Sequence, residues 1–197
     1  MQTVHVPLVS LQPTGSRPPA HRGGTAVITS AAVARFLPDL TAHINGMKVA
    51  AVGRATQRAL EEIGVHADVV GVAGGRELIE GLRPEEALLY IGASAPSEGV
   101  VAALMQHKGR VERWSVYDNV QPSQAAASLA EVGEVDLTAL TSPSAAWRYS
   151  RLAGPEPAAV AVLGATTAAA ARTAGLDVAV CSEEPGLSAL AAAILEA

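Results

Sequence analysis

Cysteine and aromatic side chains are what this sequence has least of. Cys181 is the single cysteine among 197 residues. That excludes an intramolecular disulfide and a cysteine-based metal cluster, and it fits a reducing, cytoplasmic setting. A lone thiol of this kind is expected as a small core residue at a strand end. Aromatics make up 3% of the chain, so a core has to be built from Ala, Val and Leu, whose size suits close packing of helix on sheet. A basic excess is missing too: 14 Lys and Arg stand against 19 Asp and Glu, a formal charge of −5. This argues against broad nucleic-acid binding, which needs a basic face; an acidic ligand would have to be held by local donors. No apolar run reaches the roughly 18 residues of a membrane span, and the first residues lack the basic region of a signal peptide. The five histidines, His5, His21, His43, His66 and His107, show no metal-ligand spacing and read as surface or loop residues. Gly53-x-x-Thr56 lacks the further glycines of a nucleotide fingerprint, and no Ser/His/Asp nucleophile set is evident.

What is present is a repeat. Val49-Ala50-Ala51-Val52-Gly53-Arg54-Ala55-Thr56 runs on to Gly64, and Val160-Ala161-Val162-Leu163-Gly164-Ala165-Thr166-Thr167 runs on to Gly175. The offset is 111 throughout (164−53, 167−56, 175−64). Each copy reads as a buried parallel strand of small apolar residues, a glycine corner and an Ala-rich helix that stops at a glycine. Thr56 and Thr167 stand at the mouths of these helices, where they can cap amides or face a ligand. Asp68-Val69-Val70 and Asp177 to Val180 read as the next strand of each copy.

A second pair flanks the first. Thr25 to Ile28 reads as a strand ending in Thr29-Ser30, then a helix to about Leu40. Leu137 to Leu140 leads into Thr141-Ser142-Pro143-Ser144 and a helix to about Arg151, with Pro143 at the favoured first-turn position. Elsewhere, Val4 to Leu11 reads as an extended segment, with Pro7 arguing for an edge or linker strand. Residues 12–24 read as a loop. The pattern also predicts a helix over 76–82, a strand over 87–91, a helix over 97–107 and a strand over 111–120. A short helix over 128–132 and a final helix from 186 or 187 complete it. Strand and helix alternate throughout, which argues for α/β architecture with parallel sheets, and the two copies argue for two similar lobes. By internal symmetry an opening strand and helix are expected ahead of Met1.

Thr29-Ser30 after a strand, Gly53-x-x-Thr56, the strand bearing Tyr117, Thr141-Ser142-Pro143-Ser144 and Gly164-x-Thr166-Thr167 occur in the order and spacing of one family. The chain from about Val4 to its end resembles uroporphyrinogen-III synthase. The resemblance implies two α/β lobes of parallel sheet flanked by helices, joined by a two-stranded linker made of Val4 to Leu11 and Val111 to Val120. One lobe would be residues 1–12 plus 122–197, the other 13–121. It further implies a monomeric, cofactor-free and metal-free lyase that cyclises the small-molecule substrate hydroxymethylbilane in a cleft between lobes. Tyr117 is implied as proton donor. Thr29, Ser30, Gly53, Thr56, Ser142, Ser144, Gly164, Thr166 and Thr167 are implied as substrate contacts. Arg54 reads either as a propionate ligand or as a surface residue, and Asp118 as solvated. The family's opening strand, usually followed by Arg-Pro, is not found here, and Gly92 to Glu98 holds no base where family members often carry one. A binding or regulatory protein of the same fold, holding a tetrapyrrole or another acidic ligand without turnover, is the alternative reading.

Overall fold

A computed structural model describes residues 2–20, 23–72, 74–184 and 186–197; His21 of the histidine set lies outside them. The chain divides into two units, Leu11–Asn119 and Met1–Ser10 with Val120–Ala197.

The first unit is built on one sheet. In chain order its elements are β1 (Ser10–Pro13), β2 (Thr25–Ile28), α1 (Ala32–Phe36), α2 (Leu40–His43), β3 (Lys48–Val52), α3 (Gly53–Glu61) and β4 (Val69–Gly71). They are followed by α4 (Gly75–Glu80), β5 (Leu88–Ala93), α5 (Glu98–Gln106) and β6 (Val111–Val120). The strands are ordered β1-β6-β5-β2-β3-β4. β2 pairs in parallel with both β3 and β5, β3 with β4, and β5 with β6. All four residues of β2 are buried, as expected of a central parallel strand covered on both faces. Its alternate side chains feed two cores. Ala26 and Ile28 meet Val33, Leu60 and Trp114, while Val27 meets Leu78, Tyr90 and Val100. Each fully buried aliphatic side chain here contributes about 1.5–3 kcal/mol of hydrophobic stabilisation.

The second unit holds α6 (Ala125–Val132), β7 (Thr138–Leu140), α7 (Pro143–Leu152), β8 (Val160–Leu163), α8 (Gly164–Thr173), β9 (Val178–Ser182) and α9 (Leu187–Glu196). Its three strands run parallel in the order β7-β8-β9. Leu8 of the N-terminal segment is buried in its core beside Ala146, Tyr149 and Val160. The Arg148 guanidinium, nearly buried, donates to the Leu8 carbonyl at 3.1 Å. Burial holds its pKa below the ordinary arginine value, and neighbouring Arg151 adds to the effect.

The repeat extends to the backbone. Gly53 and Gly164 both open their helices at positive φ, +73° and +75°, a region that disfavours a Cβ. Gly64 and Gly175 end them at +77° and +79°. The closing hydrogen bonds match as well: Val65 N–H to the Leu60 carbonyl at 2.9 Å, and Leu176 N–H to the Ala171 carbonyl at 3.0 Å. Beyond β2 the first sheet continues through β5, β6 and β1; beyond β7 the second has no further strand among the described residues.

Several expectations need correction. The N-terminal strand is Ser10–Pro13, not Val4 to Leu11. Pro7 has no N–H to give a ladder, and Leu8 is committed to the other unit's core. The loop therefore begins after Pro13. The helix expected from Ser30 to Leu40 is two short ones, because Pro38 drives Leu37 out of the helical region, to φ −129° and ψ 72°. The helix over 128–132 begins earlier, at Ala125. Cys181 is exposed, not a core residue. β9 is an edge strand whose alternate residues Ala179 and Cys181 are uncovered. Apart from those bounds of the first, the two strands expected as the linker need no such change: β1 and β6 are paired with each other, and the chain passes from one unit to the other at their ends, between Ser10 and Leu11 and between Asn119 and Val120.

Candidate functional site

Strand order in the first unit reverses between β2 and β5. From β2 the chain steps outward through β3 and β4, then returns to lay β5 and β6 on the other side. Such a switch point leaves a crevice beyond the carboxyl ends of the two strands, because the connections that follow them diverge to opposite faces. A cavity of about 210 Å³ lies there, lined among others by Thr29, Ser30, Tyr90, Ser97 and Tyr117. Pockets that enclose a whole small ligand span roughly 300–1,000 Å³, so this one is sized for a single arm of a larger molecule.

Each polar group has a local cause. Ser30 turns the chain into α1, its Oγ accepting from the Ala32 N–H at 3.2 Å. Tyr117 is 7% exposed, its ring lying against Phe36 at 5.7 Å between centroids. Among the described residues its hydroxyl makes no hydrogen bond, which leaves it available to the cavity. Tyr90 is almost wholly buried, and its ring lies across the neighbouring glycine: a Cβ on Gly92 would stand 2.5 Å from Tyr90 Oη. That route carries the hydroxyl to the end of the strand, 3.3 Å from Thr29 Oγ1. Burial pushes the Tyr90 phenol above its ordinary pKa, with Thr29, Arg113 and the Ala93 amide pulling the other way and Tyr117 adding to the rise. The Arg113 guanidinium sits 5.8 Å from the Tyr90 ring centroid and donates to the Ser94 carbonyl at 2.8 Å. Asp118, expected to be solvated, is half-buried and accepts from the Ser94 hydroxyl.

Comparison with known proteins settles the family. The family model described as uroporphyrinogen-III synthase HemD matches residues 1–192. The chain belongs to the uroporphyrinogen-III synthase family. A curated uroporphyrinogen-III synthase of Chlorobaculum parvum is 26% identical over 173 residues, 81% of this chain and 70% of that protein. The fold resembles the crystal structure of the synthase from Helicobacter pylori 26695, with TM-score 0.73 at 16% identity over 96% of this chain and 90% of that one. It also resembles a mutant synthase from the extremely thermophilic bacterium Thermus thermophilus, with TM-score 0.67 at 19% identity over 97% and 87%.

In this member of the synthase family the residues singled out from sequence fall into three groups. Thr29, Ser30 and Tyr117 share the switch-point cavity. Gly53 lines a second hollow of about 450 Å³ at the ends of β3 and β4, together with exposed Arg54 and Val72 and half-buried Gln57. Ser142, Ser144, Gly164, Thr166 and Thr167 stand in the other unit, after β7 and β8. There Ser142 caps α7, accepting from the Ala145 N–H at 3.2 Å, and its hydroxyl lies 3.2 Å from that of Ser144. Thr166 is exposed.

Thr56 and Thr167 do not cap their helices. Val52 and Leu163 hold the cap positions, without a side-chain bond. The threonines are only 4% and 3% exposed. The helices begin at the glycines, so each threonine is the fourth helical residue and lies on the buried side. At these corners the exposed groups are Arg54 and Ala55 in one copy and Ala165 and Thr166 in the other, with the first-turn amides that no helical carbonyl can satisfy. No group of three or more His, Cys, Asp or Glu positioned for a metal occurs among the described residues. Tyr90 and Arg113 escaped the sequence reading. Tyr-x-Gly at the end of an apolar strand was the available signal for Tyr90. Arg113 is visible only through strand register, which sets it beside Tyr90.

Proposed function

We propose that the protein is a uroporphyrinogen-III synthase, closing hydroxymethylbilane to uroporphyrinogen III with loss of water and inversion of the last pyrrole ring. The reaction needs a proton donor at the hydroxymethyl group of the first ring. It also needs donors for carboxylates and a site that brings the two ends of the chain together. Protonation of the hydroxyl releases water and leaves an electrophilic azafulvene. The substituted carbon of the last ring attacks it to give a spiro intermediate; the old bond from that carbon to the neighbouring ring's methylene then breaks, and the last ring's free α carbon bonds to the methylene with loss of a proton, leaving that ring turned around.

The observation that carries this reading is the switch-point cavity, where Tyr117 stands among hydroxyl groups with its own hydroxyl uncommitted among the described residues. In the proposal Tyr117 is the donor, a role open to a positioned phenol. Thr29 and Ser30 hold one carboxylate arm. Within each unit by itself, the helix-opening amides, at Gly53 in one and at Gly164 in the other, and the hydroxyls of Ser142, Ser144 and Thr166 are proposed as donors to carboxylates; the first-turn amides and the helix dipole favour negative charge there. Thr56 and Thr167 brace those corners from the buried side. Positioning the chain's ends supplies several kcal/mol of barrier lowering. The proposal includes a monomer working in the cytoplasm without a cofactor. Among the described residues no helix is long and apolar enough to cross a membrane.

The test feeds enzymatically made hydroxymethylbilane to the protein and separates the uroporphyrin isomers after oxidation. Isomer III is expected; isomer I alone, from folded protein, rejects the proposal. The second reading, binding without turnover, is favoured by the uncharged run Ala93 to Ser97 beside the cavity. It predicts a ligand-induced rise in melting temperature with isomer I as the only product.

A further inference from the structure

We infer that Tyr90 is a positioning residue that commits the Thr29 hydroxyl to donate into the switch-point cavity, making this the anion-specific end of the site. The inference rests on the reading above, that the cavity receives a carboxylate arm of the substrate. A buried phenol has to place its proton on an acceptor. Tyr90 is 1% exposed, and the side-chain partner its oxygen has is Thr29 Oγ1, at 3.3 Å. With the phenol proton directed at that oxygen, the threonine's own proton is turned outward to the cavity it lines. A hydroxyl alone is indifferent, able to donate or to accept. Fed by the phenol beside it, it becomes a donor, and chained hydroxyls polarise one another in the same direction. An anionic oxygen is the acceptor that such a donor suits.

Gly92 is part of the device. The Tyr90 ring runs flat over it, and an added Cβ would stand 2.5 Å from Oη and 2.8 Å from Cζ. Any larger residue at 92 would therefore lift the phenol away from Thr29. Arg113 holds the ring from the adjacent strand, 5.8 Å from its centroid. Tyr117, the proposed proton donor, is a separate phenol on the same cavity wall. Tyr90 thus affects how tightly the substrate is held, and Tyr117 how fast it reacts.

The experiment compares wild type with Tyr90→Phe, Thr29→Val, Thr29→Ser, Gly92→Ala and the Tyr90→Phe/Thr29→Val double variant. KM and kcat for isomer III are measured alongside thermal melts. Losing one hydrogen bond to a charged group is expected to raise KM about tenfold in Thr29→Val, and somewhat less in Tyr90→Phe and Gly92→Ala, with kcat within about twofold. Thr29→Ser retains wild-type KM. The double variant is no worse than Thr29→Val alone, because the two hydroxyls act as one unit. Unchanged KM in Tyr90→Phe overturns the inference; so do losses that multiply in the double variant, or a fall in kcat tracking a fall in melting temperature. If wild type forms only isomer I, the function proposal has failed while this one stays testable. Uroporphyrin III is then titrated against wild type and Tyr90→Phe. About fivefold weaker binding by the variant supports the inference, and equal affinities overturn it.

Discussion

Replacing Tyr117 with Phe removes one oxygen from the switch-point cavity and nothing else. The ring keeps its contact with Phe36, 5.7 Å between centroids, and at 7% exposure it already sits in the core. No described residue loses a hydrogen-bond partner, since the hydroxyl makes none. The folding cost should therefore stay within about 1 kcal/mol, because an oxygen without a partner leaves no group unsatisfied when it is removed. The rate should respond very differently. A positioned general acid contributes about 10²–10⁴-fold. At 1.36 kcal/mol per decade that is roughly 2.7–5.4 kcal/mol of transition-state stabilisation. The assay measures isomer III formation from hydroxymethylbilane under saturating substrate, with the isomer I background subtracted, next to a chemical-denaturation curve. A kcat lowered at least about a hundredfold with an unmoved midpoint is the expected pair of results. An unchanged kcat, or a rate loss that merely follows lost stability, refutes the assignment and returns Tyr117 to a packing role.

Other consequences are sharp. At Gly53 the space for a Cβ is open and only the backbone objects, with φ +73°. Gly53→Ala should cost about 1–2 kcal/mol, or roughly 2–8 °C in melting temperature for a chain of this size. Gly24→Ala adds a collision, its Cβ falling 2.1 Å from the Ala87 carbonyl oxygen at φ +87°; it should cost about 3 kcal/mol or more, so equal melts for the two variants would contradict the strand packing described. Tyr90 carries a raised folded pKa, so its contribution is complete below the unfolded value near 10 and is lost as pH climbs toward the higher folded value. Denaturation midpoints should fall above about pH 10, and less steeply in Tyr90→Phe. Cys181 is exposed, so a thiol reagent should titrate it fully in the native protein, with no further thiol released on unfolding.

The sequence by itself determined the local backbone. A glycine after four small apolar residues, repeated at an offset of 111, already implies a strand, a corner of positive φ and a helix, and Gly53 and Gly164 adopt nearly the same φ. Such features depend on neighbouring residues only. The helix break at Pro38 and the strand break at Pro7 were legible in the same way, though the hydrophobic pattern masked them. Only the tertiary structure decided which side chains meet. Thr56 and Thr167 are buried because the sheet covers the helix face on which the fourth residue happens to fall. Cys181 is exposed because β9 is the edge strand among the described residues and the face that bears Ala179 and Cys181 is left uncovered. Tyr90, Thr29 and Tyr117 share a cavity because β5 returns to the flank of β2 that β3 leaves free. Strand order joins residues separated by 61 positions, as Thr29 and Tyr90 are, and no periodicity or propensity within a short window carries that information.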